Sequence, residues 1–518
     1  MNQNLKDLFK MKKLFILLLL ITGFACSSDK MYQQLPNIVI ILADDMGYGD
    51  VSFLNVESKI PTPNLNQLAQ EGMYFTDGHS SSGICSPSRY SLITGCYHWR
   101  KFHDIVQSFG PSVFDPEELT LPEMLKEKRY RTACIGKWHL GWDWEAIKKP
   151  GAQTQVVKIN GAIREVFGPE AFDWSKHIPG GPISNGFDYY FGDDVINFPP
   201  YTWIENDSIL IEPTELYLNG LEDTQEGKWE CRPGPTVKDW DYYQVLPTIV
   251  KKAVSWIDQQ KNSRQPFFLY LPLSAPHAPI ISNEGFRGKS QAGGYGDFVV
   301  EVDWIVGQIL NVLERNSFAE NTLLVFTSDN GPERYAYERL QKYQHNSSGP
   351  LRGLKRDIWE GGHRVPFIIR WPGMVEPGKI SNEIINQTDI FATIAEIIDY
   401  NLPASAAPDS YSFLSHWKGD PKARNIREAM VHNTFEDKYA IRKGKWVLIN
   451  APDGTHSDVP GWINEMFGYE PNYYPAALFD LTIDLRQQKN LYMEHPEIVK
   501  ELQDLLKKYQ EEGRSVIR

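Results

Sequence analysis

The chain is patterned as continuous apolar runs that stop abruptly on charged residues. Asn37-Ile38-Val39-Ile40-Ile41-Leu42-Ala43 is β-branched and apolar without alternation, as expected of a strand buried on both faces of a parallel sheet. Similar runs recur at 266–273, 322–327 and 365–371, and helical spacing appears between them, for example at 297–314 and 389–398. Strands alternating with helices predict an α/β domain on a large, mainly parallel sheet flanked by helices. Ligands in such sheets bind outside the carboxyl ends of the strands. The residues that follow each run are therefore the first candidates for chemistry.

Elsewhere the texture differs. Residues 148–206 are irregular and rich in Gly, Pro and aromatics, which reads as a long loop insertion over the site. After about Ala423, short strand-like pieces (429–433, 439–442, 446–450 and 478–481) precede a helix from Pro496. They predict a small C-terminal antiparallel sheet with one helix, 423–518, packed on a catalytic domain of 31–422. At the other end, Lys12 and Lys13 precede the apolar run 14–21. That run is shorter than the roughly 20 residues needed to span a bilayer and suits the core of an export signal over 1–26, with Met11 an alternative start. Cys26 just after it resembles a bacterial lipoprotein box, although Gly23 stands where Leu is usual. Gly23-Phe24-Ala25 serves equally as an ordinary cleavage site. The expected location is the periplasm or surface of a Gram-negative bacterium, with a lipid on Cys26 as the membrane attachment.

Composition narrows the classes. At 518 residues, with 23% charged and 42% hydrophobic residues, the chain suits a soluble globular protein. A net charge of -13 argues against nucleic-acid binding, but a local basic pocket can still take an anion. Fifteen Trp and 25 Tyr lean toward sugar-facing walls. With Cys26 and Cys85 set aside, Cys96, Cys134 and Cys231 allow at most one disulfide, and no zinc-type spacing is present.

The polar residues after the strands form sets. Asp44 and Asp45 follow the first strand, and Asp329 and Asn330 follow the one ending at Ser328. Three carboxylates and an amide oxygen make a hard cage suited to Ca²⁺ or Mg²⁺ rather than zinc. Either pair alone reads as well as a turn cap. Cys85-Ser86-Pro87-Ser88-Arg89 leads into a helix expected to begin near Pro87 or Ser88, whose free N–H groups favour an anion. Gly136-Lys137-Trp138-His139 offers a cation and an imidazole two apart, on one side of an extended chain. His277 is framed by Pro276 and Pro279, and Lys355 precedes Trp359-Glu360-Gly361-Gly362-His363-Arg364.

Cys85-x-Pro87-x-Arg89, followed by Leu92, Thr94 and Gly95, resembles the modification sequence of the type I sulfatases, and the other motifs stand in that family's order. From about 36 to 491 the chain is similar to these formylglycine-dependent enzymes, which share the alkaline-phosphatase-like fold. The resemblance implies that a sulfatase-maturing enzyme oxidises Cys85 to Cα-formylglycine. It implies that Asp44, Asp45, Asp329 and Asn330, with modified Cys85, hold Ca²⁺ (Mg²⁺ being possible). Arg89, Lys137, His139, His277 and Lys355 would surround the sulfate. One hydroxyl of the aldehyde hydrate would attack sulfur, His277 would protonate the leaving oxygen, and His139 would take the second hydroxyl's proton.

The segments 172–181 and 185–192 resemble exo-acting glycan sulfatases, most nearly those removing 3-O-sulfate from terminal galactose of mucin-type glycans. That view makes His177, Glu333 and Arg352 sugar-binding candidates. The alternatives are a phosphodiester or phosphonate hydrolase of the same superfamily, a sulfatase for 6-O- or 4-O-sulfated hexosamine, and a glycan-binding protein with a dead site.

Overall fold

Five strands run parallel through the centre of the molecule, and their carboxyl ends carry the residues singled out above. In the computed structural model they are ordered Thr322–Ser328, Asn37–Ala43, Phe267–Pro272, Arg131–Ile135 and Tyr189–Gly192. They belong to a ten-stranded sheet. The structure describes residues 35–516 apart from 160, 220, 421, 422, 424, 425, 436 and 437. The export signal and Cys26 lie outside the described residues.

The Asn37–Ala43 strand is fully buried along its length, because a strand with parallel neighbours and helices on both faces has no polar side. Two helices, Val245–Gln259 and Gly293–Arg315, pack on one face. The second presents Val302, Ile305, Val306, Ile309, Val312 and Leu313 inward at spacings of one, three and four, the apolar stripe of an amphipathic helix. Each such side chain, fully buried, contributes roughly 1.5–3 kcal/mol. Among the described residues, no helix is long and apolar enough to cross a membrane.

Three expectations are corrected. The Phe367–Arg370 strand pairs antiparallel with Thr322–Ser328, not parallel, because its chain enters from the opposite end of the sheet. The 148–206 segment is not only loop. It holds the hairpin Gln155–Ile159/Ala162–Val166 and supplies Tyr189–Gly192 to the central sheet. The helix at Cys85 begins at Cys85 itself and runs to Thr94, with Ile84 as its extended N-terminal cap. Gly95 ends that helix in the left-handed region at φ +66°, where an added Cβ would lie 2.7 Å from the Ala407 Cβ.

The C-terminal sheet pairs Met430–Asn433, Tyr439–Lys443, Trp446–Ile449 and Ala477–Asp480 antiparallel, and the helix Pro496–Glu511 packs on it. Pro36–Arg518 pack as one compact unit. Cys85, Cys96, Cys134 and Cys231 form no disulfide among the described residues.

Candidate active site

Register brings the acidic residues together. Ala43 pairs with Ser328 across the two central strands, so Asp44 and Asp329 leave the sheet at the same level. Asp329 N donates to Ala43 O at 3.0 Å, and Asp45 N donates to Asp329 Oδ1 at 3.2 Å. Gly136 follows the neighbouring strand at φ +127°. A Cβ there would sit 2.0 Å from Pro272 O, so only glycine lets Lys137 N donate to that carbonyl at 2.8 Å.

Three cations answer three carboxylates. Arg89 Nε and Nη2 donate to Asp329 Oδ2 at 3.0 and 2.7 Å, and its Nη1 donates to Lys137 O. Lys137 Nζ lies 2.6 Å from Asp44 Oδ2, and Lys355 Nζ lies 2.7 Å from Asp45 Oδ1. Burial works against the charge on Asp44, yet Lys137 and the other cations hold its carboxyl well below the usual range. Cys85 Sγ is 3.7 Å from Asp44 Oδ1, and burial pushes its thiol up to about 12. Burial thus favours the protonated thiol, the less nucleophilic form.

The donor set fits a hard divalent cation. One ligand atom each from Asp44, Asp45, Cys85 and His277 lies within 4.8 Å of the others. Asn330 Nδ2 donates to Asp45 Oδ1 at 2.7 Å, while its Oδ1 is buried and accepts no hydrogen bond among the described residues. A buried amide oxygen without a donor lacks a positive partner. The three carboxylates and three cations cancel, so a divalent ion would leave the site positive and ready for an anion.

The two histidines hold defined tautomers. His139 Nε2 donates to Val106 O at 3.0 Å, so Nδ1 carries the lone pair, and it is buried without a partner among the described residues. Burial, reinforced by Lys137 and Arg89, holds this ring well below its ordinary pKa, hence neutral. The chain is not extended here, as the sequence suggested. His139 has φ +56°, and its N–H is held by Asp194 Oδ1 at 3.1 Å. His277 donates through Nδ1 to Ala278 O, leaving Nε2 3.7 Å from Asp45 Oδ2.

Cys85, Lys137, His139, His277, Glu333 and Lys355 all line one cavity of about 1010 Å³. Its further walls come from the 155–166 hairpin (Arg164), the 195–199 turn (Phe198), Arg232, Tyr335, Arg356 and the 456–458 loop. Glu333 bonds Arg356 Nη1 at 2.7 Å, and Lys355 and Arg356 hold it down to about 2 against burial. Arg356 and the Asp194 clamp were missed from sequence. Arg356 adjoins Lys355 and was within reach, whereas Arg164, Phe198 and Arg232 sit in segments without a motif.

Two sugar-binding candidates lie elsewhere. The His177 side chain is 77% exposed, pairs with Asp207 at 2.9 Å and is not among the cavity-lining residues. Arg352 is stacked between Trp359 and Tyr469, donates to Gln487 O and borders a different cavity.

With this geometry in place, the comparison with known proteins is direct. The family profile described as Sulfatase matches residues 36–400. The chain belongs to the sulfatase family. It is a sulfuric ester hydrolase, and its relatives place it among the carbohydrate sulfatases. An N-acetylgalactosamine-6-O-sulfatase of Bacteroides thetaiotaomicron is 33% identical over 92% of this chain and 93% of its own length. The N-acetylgalactosamine-6-sulfatase of Canis lupus familiaris is 31% identical over 77% of this chain and 69% of its own. A solved structure, described under the metabolism of multiple glycosaminoglycans by Bacteroides thetaiotaomicron, superposes with a TM-score of 0.74 at 31% identity. It covers 92% of this sulfatase and 100% of that chain. These relatives favour the 6-O-sulfated hexosamine alternative over 3-O-sulfated galactose. His177, on which the galactose reading leaned, is not among the cavity-lining residues.

Proposed function

We propose that this sulfatase removes 6-O-sulfate from N-acetylgalactosamine at the end of a glycan, using Cys85 matured to formylglycine and a bound Ca²⁺. The observation that carries the reading is the 33% identity to an N-acetylgalactosamine-6-O-sulfatase across nearly the whole of both chains. Asp44, Asp45, Asp329 and Asn330 would hold the cation, Mg²⁺ being the second choice. When bound, it lowers the pKa of an attached hydroxyl and polarises sulfate oxygens. The matured Cys85 side chain supplies a nucleophilic hydroxyl that the thiol cannot.

The remaining chemistry is done by the chain's own groups. Lys137 and Lys355 line the cavity with Cys85 and balance the charge of a sulfate ester there, while Arg89 neutralises Asp329. Burial pushes His277 down to about 4, with Asp45 opposing. A bound sulfate ester adds its negative charge to that opposition, and Nε2 becomes the proton donor to the leaving sugar oxygen. His139, which lines the cavity and has an unshared lone pair on Nδ1, is the acceptor for the proton released when the enzyme is regenerated. Glu333 and Arg356 at the wall are candidates for contacts to the sugar ring. Export through the 1–26 signal, with a lipid on Cys26, would bring the enzyme to extracellular glycans.

The test is sulfate release from matched panels of 6-O- and 4-O-sulfated N-acetylgalactosamine, 6-O-sulfated N-acetylglucosamine and 3-O-sulfated galactose. The highest kcat/KM is expected on the first. A higher value on the galactose ester would restore the earlier reading, and faster turnover of an aryl phosphonate would move the enzyme out of sulfate chemistry.

A further inference from the structure

His79 ends the short Gly78–His79 strand, His363 ends the Glu360–His363 helix, and His432 lies in the Met430–Asn433 strand of the C-terminal sheet. All three are buried, and one ring nitrogen of each lies within 4.8 Å of the others. Nothing in the sulfatase chemistry above uses them.

Their hydrogen bonds fix where the protons are. His79 Nε2 is 2.7 Å from Asp77 Oδ1. Arg364 and Arg442 pair with the Asp77 carboxylate, which therefore accepts, and Nε2 carries the hydrogen. His363 Nε2 is 3.3 Å from Ile358 O, and a carbonyl also only accepts. A neutral imidazole has one N–H, and in each of these buried rings Nε2 already places it on an acceptor. Both Nδ1 atoms therefore carry lone pairs, and they face each other at 3.1 Å. Two lone pairs at that distance repel unless positive charge lies between them. His432 has both nitrogens buried and without a partner among the described residues, and one of them must also be a lone pair.

We propose that His79, His363 and His432 form a second metal site, taking Zn²⁺ or a similar imidazole-preferring divalent ion and tying the C-terminal sheet to the segment that leads into Cys85. Imidazole nitrogens bind zinc at about 2.0–2.1 Å, so two ligands at a tetrahedral angle stand roughly 3.4 Å apart, close to the observed spacing. The outer contacts also match, since zinc-bound histidines pass their other N–H to a carboxylate or a backbone carbonyl. Asp77, Glu360, Arg364 and Arg442 surround the rings with charges that cancel, so no excess of positive charge opposes the ion. His363 and His432 are stacked at 3.7 Å with planes 13° apart, so His432 must tilt to point its lone pair at a shared ion. No hydrogen bond of its ring resists that tilt. From this cluster Ser80 N donates to His363 O at 2.8 Å and Gly83 N donates to Thr434 Oγ1 at 3.2 Å, both shortly before Cys85.

The test is metal content per chain, independent of sulfatase activity. Protein purified without chelators from zinc-supplemented medium is expected to carry one zinc per chain beyond calcium. The zinc-stripped protein is expected to take up Co²⁺ with visible d–d absorption. His79→Gln and His432→Ala are expected to weaken zinc binding at least tenfold while leaving calcium content unchanged. Wild-type protein that stays zinc-free and binds no Co²⁺ would overturn the site, as would variants that keep the metal. Should the variants not fold, zinc-edge X-ray absorption of the wild type decides. Three imidazole ligands support the site, and any other ligand set rejects it.

Discussion

Replacing Asp193 by asparagine is expected to stabilise the protein at alkaline pH and to change little in acid. Asp193 is 3% exposed, and neither carboxylate oxygen has a hydrogen-bond partner among the described residues. Burial, with Asp194 beside it, raises its pKa from 3.8 to about 7. A carboxyl raised on folding holds more protons folded than unfolded between those two values. Stability therefore falls as pH rises from about 4, and the loss is complete above about 7. At 1.36 kcal/mol per unit over roughly three units, the penalty reaches up to about 4 kcal/mol at pH 8. Asparagine keeps the shape and carries no charge, so it escapes that loss. The assay is thermal unfolding of both proteins at pH 5 and pH 8. The variant's advantage should grow by about 3 kcal/mol between them, since part of the penalty is already present at pH 5. An advantage equal at both pH values, or a wild type more stable at pH 8, would refute the burial argument. Asp194, which holds the backbone of His139, stays in place.

Other substitutions probe separate parts of the account. Arg89→Met strands the buried Asp329 carboxylate and is expected to cost about 3–5 kcal/mol in denaturant unfolding, a loss below about 1 kcal/mol contradicting the pairing. Asn330→Ala removes the amide oxygen that lacks a donor. It is expected to weaken Ca²⁺ binding by roughly tenfold or more in calorimetric titration, whereas unchanged affinity would place the cation elsewhere. His177→Ala alters an exposed side chain away from the cavity and is expected to leave kcat/KM within about twofold. A larger fall on a sulfated sugar would return His177 to substrate binding.

What could be read in advance follows from how local each signal is. Asp44, Asp45, Asp329 and Asn330 were legible because each directly follows an uninterrupted apolar run, and parallel register then places them side by side. The helix at Cys85 was legible in kind but not in its first residue, since Ile84 caps it without a side-chain hydrogen bond that would announce the start. The Phe367–Arg370 strand looked like its parallel neighbours because direction leaves no trace in a fully buried run. The exposure of His177 was not legible, because a histidine in a Gly- and Pro-rich segment carries no information about which way it faces. The His79, His363 and His432 cluster was invisible, since its members come from two sheets and a one-turn helix, far apart in the chain.

The activity of this sulfatase is expected to depend on matured Cys85. The most direct measurement prepares the protein with and without a co-expressed maturing enzyme and determines the formylglycine fraction of the Cys85 peptide by mass. Sulfate release from 6-O-sulfated N-acetylgalactosamine is then measured in each preparation. Turnover is expected to be proportional to that fraction and absent in Cys85→Ala. Equal sulfate release from unmatured protein, or from Cys85→Ala, would contradict it.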